Sequence, residues 1–264
     1  MSGGGSWPPR ILVIAGSDSS GGAGIQADIK TITMLGGYAM TAITALTAQN
    51  TLGVTRVDPV DPAMVAAQID ACVSDIGVDA VKIGMLGSAA VAEVVAERLA
   101  NLAVPIVFDP VMVATSGAAL ADSATIDAFE RLMKIATLTT PNVAELAALG
   151  GDEAMAARGI AYLAKGGDAP GEHVEDSLHC PGHDPLRLTA PRIATRHTHG
   201  TGCTLSSAIA TYLAMGLAMP DAVERARQFV RAALLAAPGF GAGSGPLGHQ
   251  AIGKSFKQNN TPSS

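Results

Sequence analysis

The residues best suited to chemistry lie in H-T-H-G-T-G-C-T, His197 to Thr204. Gly200 and Gly202 let the backbone turn with no Cβ in the way. From Cys203 onward Leu205, Ile209 and Tyr212/Leu213 recur every three to four residues, which predicts a helix with one apolar face. A glycine-rich loop feeding a helix leaves backbone N–H groups unpaired at the positive end of the helix dipole. That geometry binds anions, phosphate above all, and Gly200, Thr201 and Gly202 would form the cradle. Cys203 stands at the tip of the loop, where a thiol pKa should fall. The stretch therefore reads as an anion cradle with a proton acceptor beside it. The plainer alternative is a tight turn before a core helix, with Cys203 as a small buried hydrophobe. His197 and His199 flank the loop without a third ligand nearby, which speaks against a metal role.

Other candidates lie at the ends of apolar runs. Asp109 follows one in F-D-P-V, and Pro141 to Glu145 (P-N-V-A-E) follows the next. An Asp there can be a mere turn former, and Glu145 in the first turn of a helix would suit the dipole without further purpose. Together they could hold Mg²⁺, directly or through water, because magnesium prefers oxygen ligands and keeps several waters. Lys165 in K-G-G could balance phosphate charge as a point cation or be a solvated surface lysine. Asp28 and Gln49 could donate to and accept from a small polar ring, although Asp28, inside an expected helix, could equally face solvent.

Alternating elements would position these residues. Ile11–Ala15 is a short β-branched run before Gly16, and Gly16 to Gly24 (G-S-D-S-S-G-G-A-G) is a long glycine-rich loop. Helices are expected over 25–35, 62–76, 89–102 and 123–134, and strands over 11–15, 38–49, 80–83, 105–108 and 136–139. Such alternation predicts a three-layer α/β/α fold with a mostly parallel central sheet. Functional groups of such folds collect at the carboxyl ends of the strands, where Gly16, Gln49, Met85, Asp109 and Asn142 all fall. No linker divides the chain. One domain is expected over 10–250, between a disordered tail at 1–9 and a flexible one at 251–264.

Composition narrows the partners. The chain of 264 residues carries 17 basic and 23 acidic side chains, a net charge of −6, which argues against a nucleic-acid partner. The three cysteines (Cys72, Cys180, Cys203) are far apart and odd in number, so neither a disulfide framework nor a zinc spacing is suggested. No apolar run reaches the roughly 18 residues of a membrane helix, and the short apolar segment after Pro9 is no signal peptide. A soluble protein of a reducing, cytoplasmic compartment is expected, with no membrane partner.

Six motifs, in order, resemble the hydroxymethylpyrimidine/phosphomethylpyrimidine kinases of thiamine biosynthesis, a ribokinase-like family. They are A-G-S-D-S-S-G-G-A-G-I-Q-A-D (Ala15–Asp28), T-A-Q-N-T (Thr47–Thr51), K-I-G-M-L (Lys82–Leu86), D-P-V-M (Asp109–Met112), P-N-V-A-E and H-T-H-G-T-G-C-T. The resemblance implies a ribokinase-like fold and ATP-dependent phosphorylation of 4-amino-5-hydroxymethyl-2-methylpyrimidine, then of its monophosphate. It implies Cys203 as the catalytic base and Gly200, Thr201 and Gly202 as the anion hole. Gly16, Asp28, Gln49 and Met85 would form the pyrimidine pocket. Asp109, Asn142, Glu145 and Lys165 would serve phosphate and nucleotide, with Mg²⁺ at Asp109 and Glu145 as cofactor and Gly243–Pro246 near the nucleotide end. A homodimer is also implied. The nearest rival is a pyridoxal or pyridoxine kinase of the same superfamily; a rival of another class is a non-catalytic pyrimidine-binding regulatory protein.

The sequence departs from that pattern between Gly151 and Lys165, where, relative to the resemblance, about ten or more residues are missing. Ala154 to Ala164 reads naturally as a helix, leaving no strand before Lys165. Either Ile160–Ala164 is recruited as the strand and the helix is shortened, or a central strand is lost and Lys165 with it. Asp168 also stands where the family often has His.

Overall fold

The computed structural model describes residues 7–113, 117 and 120–251. Of the tails expected at 1–9 and 251–264, residues 7–9 and 251 are described and the rest lie outside the described residues. The elements are β1 (Arg10–Asp18), α1 (Gly24–Met34), β2 (Tyr38–Asn50), β3 (Gly53–Pro59), α2 (Pro62–Ala71), β4 (Ala80–Ile83), α3 (Ala89–Leu99), β5 (Ile106–Phe108) and α4 (Ser123–Ile135). There follow β6 (Leu138–Thr139), α5 (Val143–Ala148), α6 (Gly151–Arg158), β7 (Tyr162–Ala164), β8 (His173–His179), β9 (Leu186–Pro191), α7 (Thr201–Ala214) and α8 (Met219–Leu235). One sheet takes all nine strands in the order β3-β2-β1-β4-β5-β6-β7-β8-β9. From β2 through β7 neighbours run parallel; β3 closes one edge and the β8–β9 hairpin the other, all antiparallel.

β1 is buried on both faces because it lies mid-sheet between β2 and β4. Leu12 and Ile14 point into one apolar layer with Val65, Val91, Leu99 and Phe129 of α2, α3 and α4. Ile11, Val13 and Ala15 point into the other, with Ile25, Ile32, Leu205, Ile209 and Phe229 of α1, α7 and α8. The expected three layers are thus present. β1 to β2 steps one way along the sheet and β4 the other, so the strand order reverses beside β1. At such a switch point the strand ends part and leave a crevice.

Helix starts follow local chemistry. Asp61 caps α2 through Ala63 N with Pro62 at the first helical position, Ser88 caps α3 through Val91 N, and Asp122 caps α4 through Thr125 N. The helix expected over 62–76 is α2 followed by one wide π-turn, Cys72–Ile76. In the short segment the helix gives way to the strand. α6 stops at Arg158, Gly159 takes φ +65°, and Tyr162–Ala164 becomes β7. Arg158 secures the shortened helix by pairing with Glu130 of α4 and donating to Leu149 O. The strand that delivers Lys165 is therefore retained.

Under α7, Thr204 Oγ1 lies 2.8 Å from His249 Nε2, both side chains buried. Burial, reinforced by the nearby charge of Lys30, pushes His249 down to about 4. The unfolded chain therefore takes up a proton near pH 6.5 that the folded protein refuses until about pH 4. Stability is full above pH 6.5 and lost as pH falls towards 4, by up to about 3 kcal/mol. Urea midpoints measured across this range should fall more steeply for the native protein than for His249→Gln, which keeps a hydrogen bond to Thr204 without the charge.

Candidate functional site

A cavity of about 610 Å³ opens over the strand ends beside β1. Its floor is α7, which begins at Thr201, two residues earlier than the pattern from Cys203 suggests. Gly200 precedes it at φ +89°, and a Cβ there would lie 1.9 Å from Gly22 O. Only glycine allows the H-T-H-G-T-G-C loop to lie on the G-S-D-S-S-G-G-A-G loop. Gly200→Ala is expected to displace the α7 N-terminus, adding ~1–3 kcal/mol of backbone strain to the clash. It should lower the melting temperature and weaken anion binding at the helix start together.

Gly202 and Cys203 occupy the first turn of α7 and line the cavity, their N–H groups lacking intrahelical acceptors. A Cβ on Gly202 would stand 3.4 Å from both Asp109 Oδ2 and Lys165 Nζ, so the helix start abuts a charged cluster. Asp109 Oδ1 accepts from Lys165 Nζ at 2.6 Å and from Thr140 Oγ1 at 2.8 Å. Glu145 Oε2 lies 3.9 Å from Lys165 Nζ. Asn142 and Glu145 form a capping box at α5: Asn142 Oδ1 accepts from Glu145 N and Glu145 Oε2 from Asn142 N, each at 2.8 Å. Burial pushes Glu145 up to about 7; Lys165 opposes this and Asp109 adds to it. Burial alone would lower Lys165, but Asp109 and Glu145 outweigh it and raise it. Two carboxylates thus share one ammonium, a set of hard oxygen donors short of positive charge. This chemistry fits a divalent cation such as Mg²⁺. The loop after Lys165 is anchored by Asp176, which accepts from Gly166 N at 2.8 Å and from Arg227 Nε at 2.6 Å.

Cys203 departs from expectation. Its side chain is only partly covered, but burial pushes the thiol up to about 11, with Asp28 and Asp109 adding to the rise. Lys82 and a hydrogen bond from Gly24 N–H pull the other way and do not prevail. Behind Cys203 lies a fully buried ion pair: Lys82 Nζ is 3.0 and 2.9 Å from the two Asp28 oxygens. Ser207, one turn after Cys203 on α7, donates to Asp28 Oδ1 at 2.7 Å. Burial alone would discharge both partners, but the Asp28 carboxylate outweighs it at Lys82 and raises that ammonium. Asp28 is therefore neither solvated nor a wall of the cavity. The apolar face of α1 turns it inward onto Lys82, behind the residues that line the cavity.

Opposite the charged cluster, Gly16 and Met85 adjoin; a Cβ on Gly16 would strike Met85 Cε at 2.3 Å. Thr47 and Gln49 complete this wall with Asp18 and His199. His199 Nε2 is 2.8 Å from Asp18 Oδ2.

The phosphomethylpyrimidine kinase family model matches residues 18–248. A hydroxymethylpyrimidine/phosphomethylpyrimidine kinase of Streptomyces coelicolor is 46% identical over 256 residues, covering 92% of this chain and 94% of that protein. The chain belongs to the phosphomethylpyrimidine kinase family. Among solved structures it is similar to the ADP complex of Bacillus subtilis pyridoxal kinase (TM-score 0.83, 33% identity, 93% of this chain and 98% of that one). It is also similar to Clostridium difficile phosphomethylpyrimidine kinase (TM-score 0.71, 36% identity, 84% and 98%).

In this phosphomethylpyrimidine kinase family member, eleven of the twelve candidates named from sequence line one cavity: Gly16, Gln49, Met85, Asp109, Asn142, Glu145, Lys165 and the four residues Gly200 to Cys203. Gly243–Pro246 packs on the anion loop, with Gly245 O accepting from His199 N at 3.1 Å. Sequence reasoning gave no role to Asp18, His199 or Lys82. An Asp opening a serine- and glycine-rich loop is itself a signal, since its carboxylate can collect loop N–H groups. The motifs held no comparable sign for Lys82. Among the described residues no helix is long and apolar enough to cross a membrane.

Proposed function

We propose that the protein transfers the γ-phosphoryl group of ATP to 4-amino-5-hydroxymethyl-2-methylpyrimidine and then to its monophosphate, giving the diphosphate used for thiamine. The observation that carries this reading is the meeting, in one cavity, of the α7 N-terminus bearing Cys203 with Lys165, Asp109 and Glu145. Phosphoryl transfer asks for alignment and charge neutralisation more than covalent chemistry. The N–H groups of Gly202 and Cys203 receive the oxygens of the transferred group, and Lys165 offsets their charge. Gly16, Met85 and Gln49 hold the ring. In the first step the hydroxymethyl oxygen bonds to the γ-phosphorus, the bond to the β-phosphate oxygen breaks, and the hydroxyl proton passes to the Cys203 thiolate. In the second step the nucleophile is a phosphate oxygen, already ionised. Asp109 and Glu145 would hold Mg²⁺, which supplies charge neutralisation on the nucleotide phosphates when bound.

A cytoplasmic location fits three cysteines without a disulfide. A homodimer fits the exposed Leu46, Leu52 and Val57 of the β2–β3 region, and sedimentation would test it. The similarity to pyridoxal kinase structures keeps pyridoxal as the second reading. ATP-dependent turnover of the alcohol, its monophosphate and pyridoxal, run in parallel, tests both. Turnover of both pyrimidines supports the proposal, turnover of pyridoxal alone transfers the protein to the second reading, and binding without turnover refutes a kinase.

A further inference from the structure

The turn of α7 that carries Gly202 and Cys203 is bracketed by one short segment, residues 245–249. On one side Gly245 O accepts from His199 N at 3.1 Å, just before the helix. On the other, Thr204 Oγ1 meets His249 Nε2 at 2.8 Å, both side chains fully buried. The segment itself is fixed. Gly248 N donates to Ala233 O at 2.9 Å, a Cβ on Gly248 would lie 1.9 Å from Ala236 O, and Leu247 is buried.

The direction of the Thr204–His249 bond follows from the partners. Burial holds the His249 ring neutral, so it has one N–H and one lone pair. The Thr204 hydroxyl has no other partner among the described residues, and a buried hydroxyl proton left without an acceptor is costly. Thr204 is therefore the donor and Nε2 the acceptor, which leaves the ring N–H for the Leu247 backbone. Ser206 and Thr211, farther along α7, turn their hydroxyls back onto Gly202 O and Ser207 O, at 2.9 and 2.7 Å. Such back-bonding is the habit of Ser and Thr inside helices, and it bends them. The equivalent target for Thr204 is Gly200 O, which already accepts from Thr204 N at 2.9 Å as the first bond of α7. A hydroxyl on that carbonyl would tilt the turn whose N–H groups face the cavity.

We propose that His249 is a positioning residue: by accepting from Thr204 it keeps that hydroxyl off Gly200 O and so holds the N–H groups of Gly202 and Cys203 aimed at the transferred phosphoryl group. Neither Thr204 nor His249 is among the residues lining the cavity, so His249 acts through the helix turn and not on substrate. The kinetic consequence rests on the phosphoryl-transfer reading above; the effect on anion binding does not.

The bond can be broken from either side, and the two cuts should differ. Thr204→Val removes the hydroxyl, so nothing can turn onto Gly200 O. It should lose stability, because Nε2 is left unpaired, yet keep kcat on the hydroxymethyl alcohol within about threefold. His249→Leu leaves the hydroxyl free to turn and should lower kcat ~10–10²-fold at saturating ATP, with KM for the alcohol little changed. Combining Thr204→Val with His249→Leu puts two apolar groups in contact and should recover most of the lost kcat. His249→Gln, whose amide oxygen accepts from Thr204, should retain it. A role in stability alone predicts equal loss in both single variants and no recovery in the double, and either result would overturn the proposal. His249→Met takes the place of His249→Leu should the latter not fold. The backbone amide signals of Gly202 and Cys203, followed during titration with inorganic phosphate, give a readout without turnover. The native protein, Thr204→Val and the double variant should bind phosphate alike, and His249→Leu about tenfold more weakly; unchanged affinity in His249→Leu would also overturn the proposal. A native protein that phosphorylates neither pyrimidine but shows this pattern of phosphate binding would sink the kinase reading and leave the positioning role standing.

Discussion

Replacing Cys203 by alanine is expected to slow phosphorylation of the hydroxymethyl alcohol by ~10²–10⁴-fold and that of its monophosphate by less than about tenfold. The alcohol must lose a proton as the new bond forms, whereas the phosphate oxygen arrives ionised. The buried environment adds a second signature. With the thiol pushed up to about 11, only a small fraction is thiolate at neutral pH, and only the thiolate can accept a proton. The first transfer should therefore accelerate about tenfold per pH unit until the thiol titrates, while the second stays flat over that range. Single-turnover rates against pH on the two substrates measure this. Equal losses in both steps and parallel pH profiles would mean that Cys203 shapes the anion loop rather than handling a proton.

Single substitutions in the Lys82–Asp28 pair should be the most destabilising changes at the site. Both groups are wholly buried, and stripping one partner leaves an uncompensated charge inside the protein, a cost of ~3–5 kcal/mol. Lys82→Met combined with Asp28→Leu should recover most of that, since Ser207 can turn its hydroxyl to the carbonyl one helical turn back. The two single changes should also move Cys203 in opposite directions. Lys82 pulls the thiol down and Asp28 pushes it up. Lys82→Met should thus make Cys203 less reactive towards iodoacetamide at a given pH, and Asp28→Asn more reactive, although both lose stability. Alkylation rates, with Cys72 and Cys180 replaced by serine, combined with urea midpoints, separate the two effects. Movement of the thiol in the same direction in both variants would contradict the electrostatic account.

What was legible in the sequence was local. Short apolar runs ending in Gly16, Asp109 and Asn142 gave the parallel strands and the side of the sheet on which chemistry gathers, and N-x-x-E at Asn142–Glu145 is a capping box in sequence as in space. Ile160–Ala164 could be read as helix or strand, and only the place left open between β6 and β8 decides for the strand. β3, β8 and β9 give a weak period-two signal because they lie at or near the sheet edges and carry mostly polar side chains, largely exposed on β3 and β9 and half-covered on β8. α8 was not recognised. Lys82 in A-V-K-I and Asp28 in α1 are 54 residues apart, and Asp18 and His199 are 181 apart. No local rule joins such pairs. The thiol rule failed at Cys203 for a related reason: a helix N-terminus is a local favour, outweighed here by the burial that tertiary packing imposes.

The recruitment of β7 has a consequence for how the sheet comes apart. β6 has two residues, and it meets β7 in register at the single pair Thr139↔Tyr162. Around that pair the join is carried by Thr139 N to Ala161 O at 3.1 Å and Lys165 N to Pro141 O at 2.9 Å. β7, β8 and β9, by contrast, are laced together along their lengths. The sheet is perforated at this seam, and the leaf beyond it carries Lys165 while Asp109 stays on the main body. Amide exchange should find this leaf opening as a unit at lower free energy than the rest. The Asp109–Lys165 salt bridge across the seam then acts as a clasp, which, under the proposed function, nucleotide phosphates competing for Lys165 would loosen or remake with each turnover.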